Sequence, residues 1–191
     1  MFDQLLEKIA LGLDTCRIPY MLIGGQAVLL YGEPRLTRNI DITLGFGPER
    51  AQAIVELVIT WGWQVLVDSP KEFVQRTMVM PCLDPISDIR IDFIFSTSVY
   101  EHQAMQRVRR VAIGKTQVCF ASVEDLIIHK TIAGRPRDLE DVRGILLKTP
   151  AIDLAYVRHW LSEFDRSLSE SFLQRFEDLW NLTQRLQGGS P

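Results

Sequence analysis

Two short alternating segments constrain this chain more than any other feature. Asn39-Ile40-Asp41-Ile42-Thr43-Leu44 and Asp88-Ile89-Arg90-Ile91-Asp92-Phe93-Ile94-Phe95 both place an apolar residue at every second position. Residues i and i+2 of a strand share one face. Ile40, Ile42 and Leu44 therefore pack inward, while Asn39, Asp41 and Thr43 look the other way. In the second segment Ile89, Ile91, Phe93 and Phe95 pack, and Asp88, Arg90 and Asp92 oppose them. Upstream, Gly24-Gly25 closes the apolar run Tyr20-Met21-Leu22-Ile23 and opens a short helix. If the two strands are neighbours, Asp41 and Asp92 meet over one cation. Hard oxygen ligands beside a helix start that allows close backbone approach are what a Mg²⁺-nucleotide site needs. The plain alternative is a half-buried strand whose carboxylates pair with Arg38 or Arg90.

These elements, taken in order, resemble a known family. The glycine pair, the segment Arg35-x-Thr37-x-x-x-Asp41 and the later strand aspartate Asp92 resemble the nucleotidyltransferase superfamily with the DNA polymerase β-like fold. The branch they are most similar to is the minimal AbiEii-type toxin nucleotidyltransferases. The similarity continues through Glu124-Asp125-Leu126-Ile127-Ile128-His129-Lys130 and Arg135-Pro136-Arg137-Asp138-Leu139-Glu140-Asp141, which resemble that branch's lysine and aspartate motifs. It covers residues from about 20 to about 165.

The resemblance implies an α/β (α+β) fold: a nucleotidyltransferase-like mixed sheet flanked by helices, with a helical C-terminal part. It implies Mg²⁺-dependent transfer of a nucleoside monophosphate from an NTP to an acceptor hydroxyl. RNA is an acceptor in this branch, and many members are toxins with a cognate antitoxin protein. By motif position, Asp41 and Asp92 are metal ligands and catalytic residues, with Asn39 in the metal set. Gly24, Gly25, Arg35, Thr37 and Lys130 are nucleotide-binding, and Lys130 and Asp138 are counted with the catalytic group. One position departs from the family. Asn39 stands where an aspartate completes an Asp-x-Asp pair, and three carboxylates there hold two metals. A neutral carbonyl oxygen leaves enough for one Mg²⁺, which one or two carboxylates and substrate phosphates commonly hold. The second reading is therefore a catalytically weakened or inactive nucleotide-binding regulator.

Composition narrows the setting. The chain has 191 residues, 47% of them apolar, which suits one core domain with a helical appendage. No apolar run reaches the roughly 18–20 residues of a membrane helix, and Met1-Phe2-Asp3-Gln4 has no basic leader pattern. Cys16, Cys82 and Cys119 are scattered in apolar surroundings, as expected of reduced core thiols in a cytoplasmic protein without a membrane partner. A net charge of −3 argues against a generic nucleic-acid binder. Basic residues nevertheless concentrate between Arg107 and Lys148, where they suit a triphosphate or RNA, or simply a solvated surface.

Periodicity and turn residues divide the chain into a core over 1–121, a helical part over 122–187 and a disordered tail at 188–191. The spacing of Phe2, Leu5, Leu6, Ile9, Ala10 and Leu13 predicts an opening helix. Strands are expected at 20–23, 40–44, 63–67 and 77–82, with hairpins turning at 84–87 and at Gly114-Lys115. Helices are expected over 26–30, from Pro48 to about Thr60, over 71–75 and over 99–108. Ser122 with Asp125 resembles a capping box, Gly134 stops that helix, and Asp138 starts the next as its N-cap. Lys130 is expected to cover its stem and send its ammonium outward; His129 reads as structural. A third reading is an interaction protein whose tail docks a partner through Trp160, Phe172, Phe176 and Trp180.

Overall fold

The computed structural model describes residues 2–34 and 36–188. Arg35 and the last three residues, which include most of the expected tail, lie outside the described residues. The chain divides into two compact units, Met1–Gln26 with Leu36–Ala121, and Ala27–Arg35 with Ser122–Pro191.

The first unit is built on a mixed sheet. Its strands are β1 (Tyr20–Ile23), β2 (Asn39–Leu44), β3 (Gln64–Val65), β4 (Val79–Asp84), β5 (Ile89–Phe95), β6 (Arg109–Ile113) and β7 (Thr116–Phe120), in the spatial order β3-β4-β5-β2-β1-β7-β6. β2 and β5 are parallel, as are β1 and β7; the remaining neighbours are antiparallel. Both expected hairpins form. Asp84 pairs with Ile89 across the first, and the Asp84 carboxylate accepts the Ser87 amide at 3.1 Å, fixing the turn. Ile113 pairs with Thr116 across Gly114-Lys115. Helices α1 (Phe2–Thr15), α3 (Ala51–Thr60), α4 (Pro70–Thr77) and α5 (Val99–Gln106) belong to this unit, and the eight-residue α2 (Gly24–Tyr31) begins in it.

The alternation read from sequence is what the sheet buries. Ile40, Ile42, Leu44, Ile91 and Phe93 are fully buried, as are Ile9, Ala10 and Leu13 of α1. Trp61 and Trp63 meet edge-on, with ring centroids 4.8 Å apart, and Trp61 lies 6.4 Å from Phe93. Several boundaries differ from expectation. The glycine pair lies inside the first turn of α2 rather than before it. β3 is only two residues: the Trp63 amide is taken by the Val58 carbonyl at the end of α3, 2.9 Å away, so the strand begins at Gln64. Met78 adopts φ 60°, which stops α4 and delays β4 to Val79. α5 stops at Gln106, two residues early. Cys16 is exposed, unlike Cys82 and Cys119, so the expectation of three core thiols holds for two.

The second unit contains α6 (Val123–Ala133), α7 (Pro136–Lys148), α8 (Leu154–Leu168) and α9 (Phe172–Gly188). Ser122 caps α6: its hydroxyl accepts the Asp125 amide at 3.1 Å and donates to the Asp125 carboxylate at 2.6 Å. Gly134 ends α6 at φ 63°, its N–H reaching the Lys130 carbonyl at 3.0 Å. Pro136 opens α7, where a missing N–H costs nothing. Arg135 is thus the N-cap and Asp138 the third helical residue, a correction to the expected start. Asp153 caps α8 through the Tyr156 amide at 3.0 Å. Arg175 of α9 donates to the Thr131 carbonyl at 2.7 Å, and Arg158 holds Glu177 at 2.6 Å. Phe172 and Phe176 are 6% and 0% exposed, so they fill this unit's own interior rather than offer a docking face. No helix among the described residues is long and apolar enough to cross a membrane.

Candidate active site

The register of β2 against β5 sets the site. Asn39 stands opposite Arg90, Ile40 opposite Ile91, Asp41 opposite Asp92, and Ile42 opposite Phe93. Partners in register on neighbouring strands share a face, and strands lie about 4.8 Å apart. The two aspartates are therefore side by side on the face opposite the packed isoleucines, as the alternation required. β1 flanks β2 on its other side, antiparallel, with its last residue Ile23 level with Asp41. The chain then enters Gly24, and the two elements come close. A Cβ on Gly24 would overlap the Asp41 carboxylate, lying 3.0 Å from its Cγ and in direct collision with Oδ2. Gly24 also has φ +62°, a conformation L side chains rarely adopt. Gly24 is required here twice over, by backbone conformation and by space. Gly25 follows, buried in the first turn of α2.

Each carboxylate is engaged by the residue two positions before it. Asn39 Nδ2 donates to Asp41 Oδ1 at 2.7 Å. Arg90 Nε lies 2.9 Å from one oxygen of Asp92 and 3.0 Å from the other. The Asp92 side chain is 15% exposed and that of Arg90 is 54% exposed. The salt-bridge alternative read from sequence is thus realised at Asp92. The aspartate's charge reaches its neighbours too. Burial pushes the Cys82 thiol up to about 12, and the charge of Asp92 adds to the rise, so Cys82 is an uncharged thiol at neutral pH. Thr37 Oγ1 donates to the Asn39 carbonyl at 3.1 Å and braces the entry to β2. Thr43, the next residue on the carboxylate face, is 2% exposed.

Lys130 and Asp138 belong to the second unit and meet each other there. The Lys130 ammonium is not directed into solvent. It lies 2.9 Å from Asp138 Oδ1 and 2.7 Å from Asp141 Oδ2, and the three side chains are only 6%, 5% and 8% exposed. Arg135 adds a contact of 2.5 Å to the other Asp138 oxygen. Burial by itself would raise the Asp138 carboxyl; the hydrogen bonds from Arg135 and Lys130 outweigh it and hold the group below its ordinary value. Asp141 was missed by sequence reasoning. The signal was present, because residues 138 and 141 are three apart and share a helix face. In the basic stretch, Lys148 is likewise engaged, 2.9 Å from Glu33.

The donor set limits what the site holds. Among the described residues no group of three or more Asp, Glu, His or Cys side chains is placed to bind a metal. Two carboxylates and an amide oxygen remain, the number of protein ligands that suits one Mg²⁺ completed by phosphate and water. The Asp41 carboxylate packs directly against the bare backbone of Gly24, which brings the glycine turn up to the paired aspartates.

The site thus combines a mixed sheet with aspartates in register on β2 and β5 and a glycine turn that opens α2. Solved structures share the fold. The antibiotic-resistance factor ANT(2'')-Ia in solution superposes with a TM-score of 0.61 at 18% identity, covering 87% of this chain and 94% of that one. The same protein in complex with adenylyl-2''-tobramycin gives 0.59 at 19% identity, with 88% and 98% covered. An antigenic nucleotidyltransferase-like protein from Paracoccidioides brasiliensis gives 0.53 at 16% identity, with 91% and 92% covered. The chain belongs to the family described as nucleotidyltransferase of unknown function (DUF6036), whose profile matches residues 1–184. No protein of curated function matches it.

Proposed function

We propose that this nucleotidyltransferase moves a nucleoside monophosphate from an NTP to an acceptor hydroxyl with the help of Mg²⁺. The observation that carries the reading is the register of Asp41 with Asp92, with the Gly24 backbone packed against the Asp41 carboxylate. Asp41 and Asp92 would hold the ion, with Asn39 turning its carbonyl oxygen toward it. The ion, when bound, neutralises phosphate charge and so favours displacement at phosphorus. The acceptor hydroxyl oxygen forms a bond to the α-phosphorus and gives up its proton to solvent, the bond from the α-phosphorus to the bridging oxygen breaks, and pyrophosphate leaves. Gly24 and Gly25 offer backbone approach and N–H groups at the start of α2; Thr37, which braces the entry to β2, and Arg35 two residues before it would meet the triphosphate from the β2 side.

Lys130 and Asp138 act on each other in this reading. With its carboxylate held by Lys130 and Arg135, Asp138 is a weak proton acceptor, and Lys130 is committed to two anions. Both support activity through the stability of the second unit. RNA is the first acceptor to examine, and an antitoxin the first protein partner, on the resemblance to AbiEii-type toxins. An aminoglycoside hydroxyl is the second acceptor, since the structural neighbour carries adenylyl-tobramycin. The test is incubation with α-labelled NTPs, Mg²⁺ and either total RNA or tobramycin. Label should pass to one acceptor and be lost in Asp41→Asn and Asp92→Asn. A specific observation favours the alternative, a nucleotide-binding regulator: the carboxylate count is short by one at Asn39. Tight Mg²⁺-NTP binding with no transfer to any acceptor would select it.

A further inference from the structure

We propose that Arg90 is the site's resident cation, holding Asp92 until the metal arrives and then passing to the phosphates of the nucleotide. This rests on the Mg²⁺-nucleotide reading above and adds to it a residue that no motif of the sequence marked.

Three observations carry it. First, Arg90 Nε sits almost equidistant from the two Asp92 oxygens, at 2.9 and 3.0 Å, covering the oxygens a metal must use. A divalent ion arriving at that carboxylate competes with the guanidinium, because it needs oxygen lone pairs the guanidinium now engages and because like charges repel. Second, the exchange is easy. The Arg90 side chain is 54% exposed, so water can take over its hydrogen bonds when it swings away, whereas Asp92, at 15%, stays in place. Third, the register puts Arg90 where it is needed next. It stands level with Asn39 at the start of the parallel strands β2 and β5. β1 runs the opposite way and ends level with Asp41, so the chain continues into Gly24 and Gly25 at that same end of the sheet. Arg90 and the glycine turn thus flank the carboxylates from opposite sides at one sheet end. A released guanidinium there is a donor fork matched to phosphate oxygens. Metal binding would in this way prepare the phosphate site, and a free metal-less site would keep its negative charge compensated.

The test titrates Mn²⁺ alone by calorimetry into the wild type, Arg90→Gln and Asp92→Asn, then titrates sodium pyrophosphate with Mn²⁺ present. Circular dichroism checks that the variants are folded; an exposed strand position tolerates glutamine. Removing a half-exposed competitor should tighten Mn²⁺ binding by about three- to fivefold. Losing a charged donor to phosphate should weaken pyrophosphate binding about tenfold. Both changes together are the expected result. Unchanged or weaker Mn²⁺ binding in Arg90→Gln overturns the exchange, and so does tighter Mn²⁺ binding without loss of pyrophosphate. A wild type that binds Mn²⁺ no better than Asp92→Asn refutes the metal reading itself, and the exchange with it. The two failures are therefore told apart by the wild-type titration.

Discussion

Lys130→Met should unfold the second unit well before the first loses its structure. The ammonium of Lys130 lies 2.9 and 2.7 Å from carboxylates of Asp138 and Asp141, all three side chains being less than a tenth exposed. Methionine matches the stem in length and removes the ammonium, with its charge and its hydrogen bonds. Asp138 keeps one partner, Arg135, whose side chain is 77% exposed and therefore a weak compensator. Asp141 loses its lysine altogether. Removing one member of a buried ion pair costs about 3–5 kcal/mol, mostly as the penalty for the charge left behind. That is a large share of the roughly 5–15 kcal/mol that holds a domain together. Urea unfolding at neutral pH, followed by far-ultraviolet circular dichroism, reads the effect. With a slope of about 1–3 kcal/mol per molar urea, the midpoint should fall by more than 1 M. Adding Asp138→Asn and Asp141→Asn to Lys130→Met should restore much of the loss, because the two buried carboxylates that lost the ammonium are then neutral. A Lys130→Met protein within about 1 kcal/mol of wild type would refute the reasoning. If that stable variant also bound NTP tenfold more weakly, Lys130 would belong on the triphosphate.

Other consequences follow from the same geometry. Gly24→Ala must adopt φ +62° and push its methyl into the Asp41 carboxylate; the backbone alone should cost about 1–2 kcal/mol in thermal unfolding, and Mn²⁺ affinity should drop with it. Asn39→Asp places a second anion where an amide now donates at 2.7 Å; the metal-free protein should lose stability, regain it with Mg²⁺, and bind the ion more tightly. Unaltered metal affinity would remove Asn39 from the site. The depressed Asp138 carboxyl contributes stability that is fully present above the ordinary value of 3.8 and is lost as pH falls through its lower folded value. Urea midpoints of wild type should accordingly fall more steeply below that pH than those of Asp138→Asn.

Much of this was legible in sequence wherever local pattern and tertiary burial agree. Strict alternation over Ile40–Leu44 and Ile89–Phe95 fixes which residues are buried, and the structure buries them. The hairpins at Asp84 and Gly114 and the cap at Ser122 are written in turn and capping chemistry, so they too were readable. Alternation puts Asp41 and Asp92 on matching faces, but their meeting stays conditional on the two strands being neighbours, which no local signal says; the parallel register of β2 and β5 supplies it. Boundaries slipped where a single backbone conformation decides them, as at Met78. Lys130 was misread for a related reason. Helical periodicity places its stem near Leu126 and Ile127, but only the fold brings Asp138 and Asp141 to its ammonium. The pairing of Arg90 with Asp92 was one of several options from sequence, because an i, i+2 neighbour on a strand is equally free to point into solvent.

Asp41 and Asp92 are proposed to hold one divalent ion together. Electron paramagnetic resonance of Mn²⁺, titrated with the wild type and a non-hydrolysable NTP, tests it most directly. A shared site gives a single bound ion per chain, lost in Asp41→Asn and in Asp92→Asn alike and kept in Asp84→Asn, whose carboxylate caps a hairpin turn. Binding that survives either of the first two substitutions would contradict it.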